Sequence, residues 1–96
     1  MPLFVVLGNW TQKRMNTIKD LPEQIKAGVK VFTSLGIDKA LAFTMGRYDM
    51  VGICEVLDAE TIMKALLSWG SVGLVTTETL RGFTPEEPMG LVKGIT

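Results

Sequence analysis

Lys39-Ala40-Leu41-Ala42-Phe43-Thr44-Met45-Gly46-Arg47-Tyr48-Asp49-Met50-Val51-Gly52-Ile53-Cys54-Glu55-Val56-Leu57 is the stretch whose reading decides the fold. Two strand-like runs, Lys39 to Met45 and Asp49 to Leu57, bracket Gly46-Arg47-Tyr48. A reversal opened by glycine between such runs is the pattern of a β-hairpin. Within the second run, Met50-Val51-Gly52-Ile53-Cys54 offers no polar side at all, as expected of a strand covered on both faces.

Helical patterns flank the hairpin. On its C-terminal side Asp58 stands where it can cap free amides, and Ile62, Leu66 and Trp69 follow on one side of a helix, with Met63 and Leu67 beside them, until Gly70. On its N-terminal side Asp20-Leu21-Pro22-Glu23 reads as a helix start, with Asp20 as cap, Glu23 reaching back and Pro22 in the first turn. Leu21, Ile25, Val29, Phe32 and Leu35 then form one apolar stripe, and Gly36 suits a left-handed C-cap. Outermost lie a short apolar strand, Leu3 to Leu7, ended by Gly8-Asn9, and a loosely alternating run from Leu74 to Phe83.

The order is β-α-β-β-α-β, the ferredoxin-like arrangement of the α+β class. Right-handed crossovers put the first and third strands in the middle of a four-stranded antiparallel sheet, with the second and fourth at its edges. Two helices cover only one face of such a sheet. Its other face, rich in apolar residues, predicts a homodimer with sheets packed face to face.

Composition narrows the function. A chain of 96 residues is one domain, read here as residues 1–87 followed by a turn-rich C-terminal tail, 88–96, that is either loose or a strand added to a neighbour. Ten basic and ten acidic residues leave no net charge, so nothing favours polyanion binding. The signs are nonetheless segregated: the first half holds Lys13, Arg14, Lys19, Lys26, Lys30, Lys39 and Arg47, and most acids fall in the second half. That split suits either subunit matching, an anion site near Lys13 and Lys19, or two solvated faces. With no histidine, imidazole catalysis, Ser-His and Cys-His pairs and the usual zinc sites are excluded. One cysteine forbids an intrachain disulfide and suits a cytoplasmic setting. The six methionines are scattered as core filler, and no metal or cofactor is implied. No run is long enough for a membrane span, and the start lacks the basic flank of a secretory signal.

Three motifs, Asn16-Thr17-Ile18-Lys19-Asp20-Leu21-Pro22, Thr44-Met45-Gly46-Arg47-Tyr48-Asp49 with the strand and Asp58 after it, and Thr77-Glu78-Thr79-Leu80-Arg81-Gly82-Phe83-Thr84-Pro85-Glu86-Glu87, resemble in order those of the GYD domain family. That family takes its name from the Gly-x-Tyr-Asp turn. The resemblance covers about residues 3–87 and implies a dimeric α/β barrel of ferredoxin-like fold in small prokaryotic proteins. It brings no catalytic residues with it. The chain departs from the pattern at Trp69-Gly70-Ser71 and beyond Glu87.

Candidate binding residues cluster in two places. Trp10, Thr11, Asn16 and Lys19 fall in the long connection after the first strand, where a pocket against the first long helix would gather aromatic, hydroxyl, amide and ammonium groups. Tyr48 and Asp49 in the hairpin turn either join that pocket or serve the turn itself. Glu55, if buried, needs a partner such as Arg81 or becomes a raised-pKa base; at a barrel mouth it is an ordinary carboxylate. Cys54, among apolar neighbours, reads as inert packing. RNA recognition by this topology needs stacking rings on the central strands, and Val51-Gly52-Ile53-Cys54-Glu55 has none. Two classes remain: a homo-oligomeric small-molecule binding or sensory module, and a cofactor-free enzyme of the monooxygenase or isomerase type.

Overall fold

The computed structural model of the chain describes residues 1–95. Its elements run β1 (Leu3–Trp10), α1 (Gln12–Asn16), a 3-10 turn (Ile18–Asp20), α2 (Leu21–Ser34), β2 (Asp38–Phe43), β3 (Met50–Glu55), α3 (Ala59–Val72), β4 (Val75–Gly82) and α4 (Glu86–Val92). The sheet is antiparallel in the order β2-β3-β1-β4, so the two apolar strands lie in the middle as the ferredoxin-like reading requires.

Strand alternation sorts the residues by face. Phe4, Val6 and Gly8 of β1 and Met50, Gly52 and Cys54 of β3 point toward the helices, where Val6, Cys54, Val56, Phe32, Ile37, Ile62 and Ala65 form the buried core. Among the described residues, no helix contributes to a core on the opposite face. Across it the register aligns Ala40, Ile53, Val5 and Leu80 in one row through all four strands. Ile53 and Leu80 in that row are 47% and 48% exposed, so the apolar face inferred from sequence is real and uncovered within one copy.

Several boundaries differ from the sequence reading, each for a local reason. β1 continues to Trp10, because β4 pairs with it through Asn9↔Thr76 and Trp10↔Val75. The 3-10 turn runs straight into α2 and leaves Asp20 at φ −90 and ψ 4, so its side chain makes no capping bond. A capping residue is normally extended, and here the turn's own hydrogen bonds replace the cap. Asp58, which is extended, does cap α3 by accepting from the Thr61 amide and hydroxyl, and these bonds hold its carboxyl below the usual value. α3 passes through Gly70 and stops at Gly73, the residue with φ 79 that closes it as a left-handed cap. The hairpin strands stop earlier than expected, at Phe43 and Met50. Between them the loop is tied by Thr44 N–H to Asp49 O and Thr44 Oγ1 to Tyr48 O.

The C-terminal segment after Phe83 holds a short helix, α4, which spans residue 87; Thr96 lies outside the described residues. Phe83, Met89, Leu91 and Val92 are exposed there. The radius of gyration is 15.2 Å, against about 12.5 Å for a compact chain of this length. A strand of eight residues spans only about 27 Å, so the 54 Å long axis reflects an arm standing off the body.

Gly8 and Gly70 test this packing in opposite directions. A Cβ on Gly8 would lie 2.6 Å from Met50 Cγ and 3.1 Å from Val75 Cγ2, whereas one on Gly70 would meet nothing within 4 Å. Gly8→Ala is expected to destabilise by about 1–3 kcal/mol through overpacking. Gly70→Ala is expected to stabilise by about 1 kcal/mol through helix propensity. Urea denaturation of both variants checks the pair.

Candidate functional site

Between the helix-bearing face of the sheet and the helices α2 and α3 lies a chamber of about 90 Å³. Its walls are largely apolar, among them Val29, Leu41, Val72 and Val75. One side chain shapes it. Trp69 of α3 packs its ring on Phe32 of α2 with centroids 4.4 Å apart and donates from Nε1 to Gly28 O at 3.1 Å. The approach depends on Gly28, where a Cβ would sit 3.2 Å from that nitrogen.

The chamber also has polar walls. Arg14 lines it, is only 7% exposed, and donates from Nε to Leu74 O at 3.1 Å, while its Nη1 is buried without a partner. The guanidinium carbon stands 5.7 Å from the centre of the Trp10 ring, a cation–π arrangement. Burial pulls the Arg14 pKa below its usual value, yet an arginine remains charged at neutral pH. No carboxylate is among the described residues lining the chamber, so nothing in its wall neutralises that charge.

Gln24, on the same wall, donates from Nε2 to Thr17 Oγ1 at 2.9 Å, and its Oε1 is buried and unpartnered. The hydrogen-bond network fixes this orientation of the amide. Thr17 Oγ1 directs its own proton to the carbonyls of Lys13 and Arg14, so toward Gln24 it can only accept. Arg14, Gln24 and Ser68, with the Trp69 indole, are thus the polar side chains of a wall that is otherwise largely apolar.

A family model described as "GYD domain" matches residues 4–92. The chain belongs to the GYD domain family. It is also 34% identical over 89 residues to a protein of Thermus thermophilus named "Glutamine synthetase and cystathionine beta-lyase binding protein", covering 83% of this chain and 86% of that one. No solved structure matches the chain.

The Gly-x-Tyr-Asp turn of the GYD family is divided here between two jobs. Asp49 Oδ2 accepts from the Trp10 backbone N–H at 2.8 Å, and the Asp49 N–H donates to Gly8 O at 2.9 Å, so this residue fastens the end of β1. Tyr48 turns to the uncovered side of the sheet and donates to Glu78 Oε2 at 2.7 Å, beside a shallow polar hollow that Asn9 and Arg47 share. The bond to Glu78 raises the Tyr48 pKa, with lesser help from desolvation and the carboxylate's charge.

The other sequence candidates lie apart from these. Thr11 caps α1 by accepting from the Arg14 N–H, and its hydroxyl donates to Gly73 O. Lys13 donates to Val72 O, a cation at the C-terminus of α3. Asn16 accepts from Gln12 on the exposed side of α1, and Lys19 is exposed on the 3-10 turn. Structure therefore joins Trp10 with Asp49 and separates both from Asn16, Lys19 and Tyr48; none of the six candidates lines the chamber. Glu55 is exposed at the end of β3, so the burial on which its reading as a base depended is absent. Cys54 is buried, and desolvation pushes its thiol up, away from the reactive thiolate.

The chamber's polar residues, Arg14 and Gln24, escaped the sequence reading. Gln24 had a signal: it lies three residues after Leu21 and four before Gly28, a polar side chain inside the apolar stripe. Arg14 had none, because its burial comes from the Leu74 region, 60 positions away.

Tyr48 is the single tyrosine of the chain, so its titration is read directly by ultraviolet absorbance. The midpoint is expected above the ordinary value of 10, falling back toward it in Glu78→Gln. Because the folded value is the raised one, the stabilisation is complete below the unfolded value and is lost as pH rises through the folded one. Asp49→Ala, which orphans the Trp10 amide, is expected to cost about 1–3 kcal/mol in a denaturation experiment, and Tyr48→Phe, which removes an exposed hydrogen bond, to lower the denaturation midpoint by less than Asp49→Ala does.

Proposed function

We propose that this GYD domain protein is a homo-oligomeric small-molecule binding module of the prokaryotic cytoplasm. One observation carries the binding reading: a charged group, Arg14, is held beside a ligand-sized space with a buried nitrogen that no protein atom satisfies. A small molecule held there lies against a wall that is mostly apolar and carries one fixed cation, which is the composition of a ligand pocket. Among the described residues of the wall, Arg14, Gln24 and Ser68 supply the side-chain polar groups, and no carboxylate or imidazole stands beside them to exchange a proton near neutral pH. That supports binding over the cofactor-free enzyme.

Self-association follows from the uncovered row Ala40, Ile53, Val5 and Leu80. A second copy set against it would hide both rows at once, and the off-standing α4 arm, apolar at Met89, Leu91 and Val92, can reach across to the same copy. A second reading is docking on other proteins. The Thermus relative's name, which describes binding to two enzymes, favours it, and the same open face would serve.

Sedimentation at micromolar concentration is expected to return a dimer or larger oligomer. Ile53→Lys and Leu80→Lys, each placing a charge in the row, are expected to shift the mass toward one copy while the circular dichroism spectrum stays folded. A stable single-copy species of the unaltered protein would overturn the self-association. Native mass spectrometry of the purified oligomer is expected to show a small co-purifying metabolite.

A further inference from the structure

We propose that the polar hollow at the Asn9 end of the uncovered sheet face binds a free α-amino acid in its zwitterionic form, with the carboxylate on Arg47 and the ammonium on Glu78. The hollow shares no lining residue with the chamber. Three segments build it: Asn9 from the end of β1, Thr76 to Glu78 from β4, and Arg47 and Tyr48 from the hairpin loop. The register puts it beyond the apolar row. Leu7↔Glu78 is the next outward-facing pair after Val5↔Leu80, and Asn9↔Thr76 is the one after that. Seated on that row, a second copy would have the hollow at the polar rim of the contact.

Tyr48 sets the two charges. Its hydroxyl donates to Glu78 Oε2 at 2.7 Å, and its ring carries the Arg47 guanidinium, whose carbon stands 5.7 Å from the ring centre. Cation and carboxylate are thus held on two parts of one phenol instead of closing on each other. Among the described residues the Arg47 guanidinium has no hydrogen-bond acceptor and Glu78 Oε1 no donor. The Arg47 charge still reaches this spot, since it offsets part of the rise that Glu78 imposes on the Tyr48 pKa. An anion alone would be drawn to Arg47 and repelled by Glu78, and a cation alone the reverse. A ligand that carries both charges on one carbon satisfies both through charge-assisted hydrogen bonds.

The donors decide between kinds of zwitterion. Glu78 Oε1 only accepts, so a primary ammonium with its N–H groups suits it, whereas a quaternary ammonium has none to give. A quaternary group would need an aromatic face, and the one ring of the hollow already carries a cation. The hollow is open, so its space of about 250 Å³ holds the groups on the α-carbon and sets no limit on the side chain. Exposure also keeps the affinity in the millimolar range, because solvent screens both contacts.

Titration of the full chain with L-alanine near neutral pH, followed by two-dimensional amide and indole NMR, tests this. Alanine is expected to shift the Asn9, Tyr48 and Glu78 resonances and to leave Gly28 and the Trp69 indole, in the chamber, unmoved. Alaninamide, without the carboxylate, and N-acetylalanine, without the ammonium, are each expected to bind about 5–10-fold more weakly. The N-trimethyl derivative of alanine is expected to bind at least as weakly as N-acetylalanine. Arg47→Gln is expected to bring the alanine-to-alaninamide ratio close to one, and Glu78→Gln the alanine-to-N-acetylalanine ratio. Both side chains are exposed, so both variants are expected to fold. Equal binding of alanine, alaninamide and N-acetylalanine at the hollow would overturn the zwitterion. Shifts confined to Gly28 and Trp69 would overturn the hollow as the site, and no shift anywhere at about 100 mM alanine would overturn both.

Discussion

A four-stranded sheet has two faces, and this chain supplies helical cover for one of them. The core that results is thin: Val6, Cys54 and Gly52 from the central strands meet Phe32 and Trp69 from the helices. Hydrophobic burial, the main favourable term in folding, is therefore concentrated between the sheet and two helices of 14 residues each. Everything else in the molecule is arranged around that imbalance. The uncovered face keeps an apolar row open, and the helices, spaced by the Trp69 indole over Gly28, leave room beneath them.

The connection after β1 closes one end of that room. Thr11, Lys13 and Arg14 all donate to carbonyls at the end of α3, those of Gly73, Val72 and Leu74. A helix C-terminus has unsatisfied carbonyls and a partial negative charge, so two cations and a hydroxyl are well matched to it. In making this clamp, Arg14 is drawn out of water. One structural bond thus leaves a chemical opportunity: a guanidinium whose remaining hydrogen-bonding capacity faces protein that does not fill it.

The Gly-x-Tyr-Asp turn shows how a local motif divides into separate roles. Asp49 is bound to the Trp10 amide and serves the sheet. Tyr48, its neighbour, points to the opposite side and meets Glu78 of β4. Both lie in the loop before β3, one tied to the end of β1 and the other to β4. The motif's position in the chain was readable, whereas the direction of each side chain required the register of β1 against its two neighbours.

The order of the four strands and two long helices, the central place of the two apolar strands and the bare second face all follow from sequence, because each depends on periodicity along a short segment, whereas the short helices α1 and α4 carry no such period. Leu3 to Leu7 and Met50 to Cys54 are apolar whatever they pack against, and glycine at 36 suits a left-handed turn in any context. Tertiary structure alone decided where the chamber lies and which polar residues line it. Arg14 in sequence is one of ten cations, indistinguishable from Lys13 or Lys19. Its burial arises from contact with a carbonyl 60 residues away, after the chain has crossed the sheet twice. Such distant juxtaposition leaves no periodic trace, and the desolvation that makes the group reactive toward a ligand exists only once the helices have closed over it.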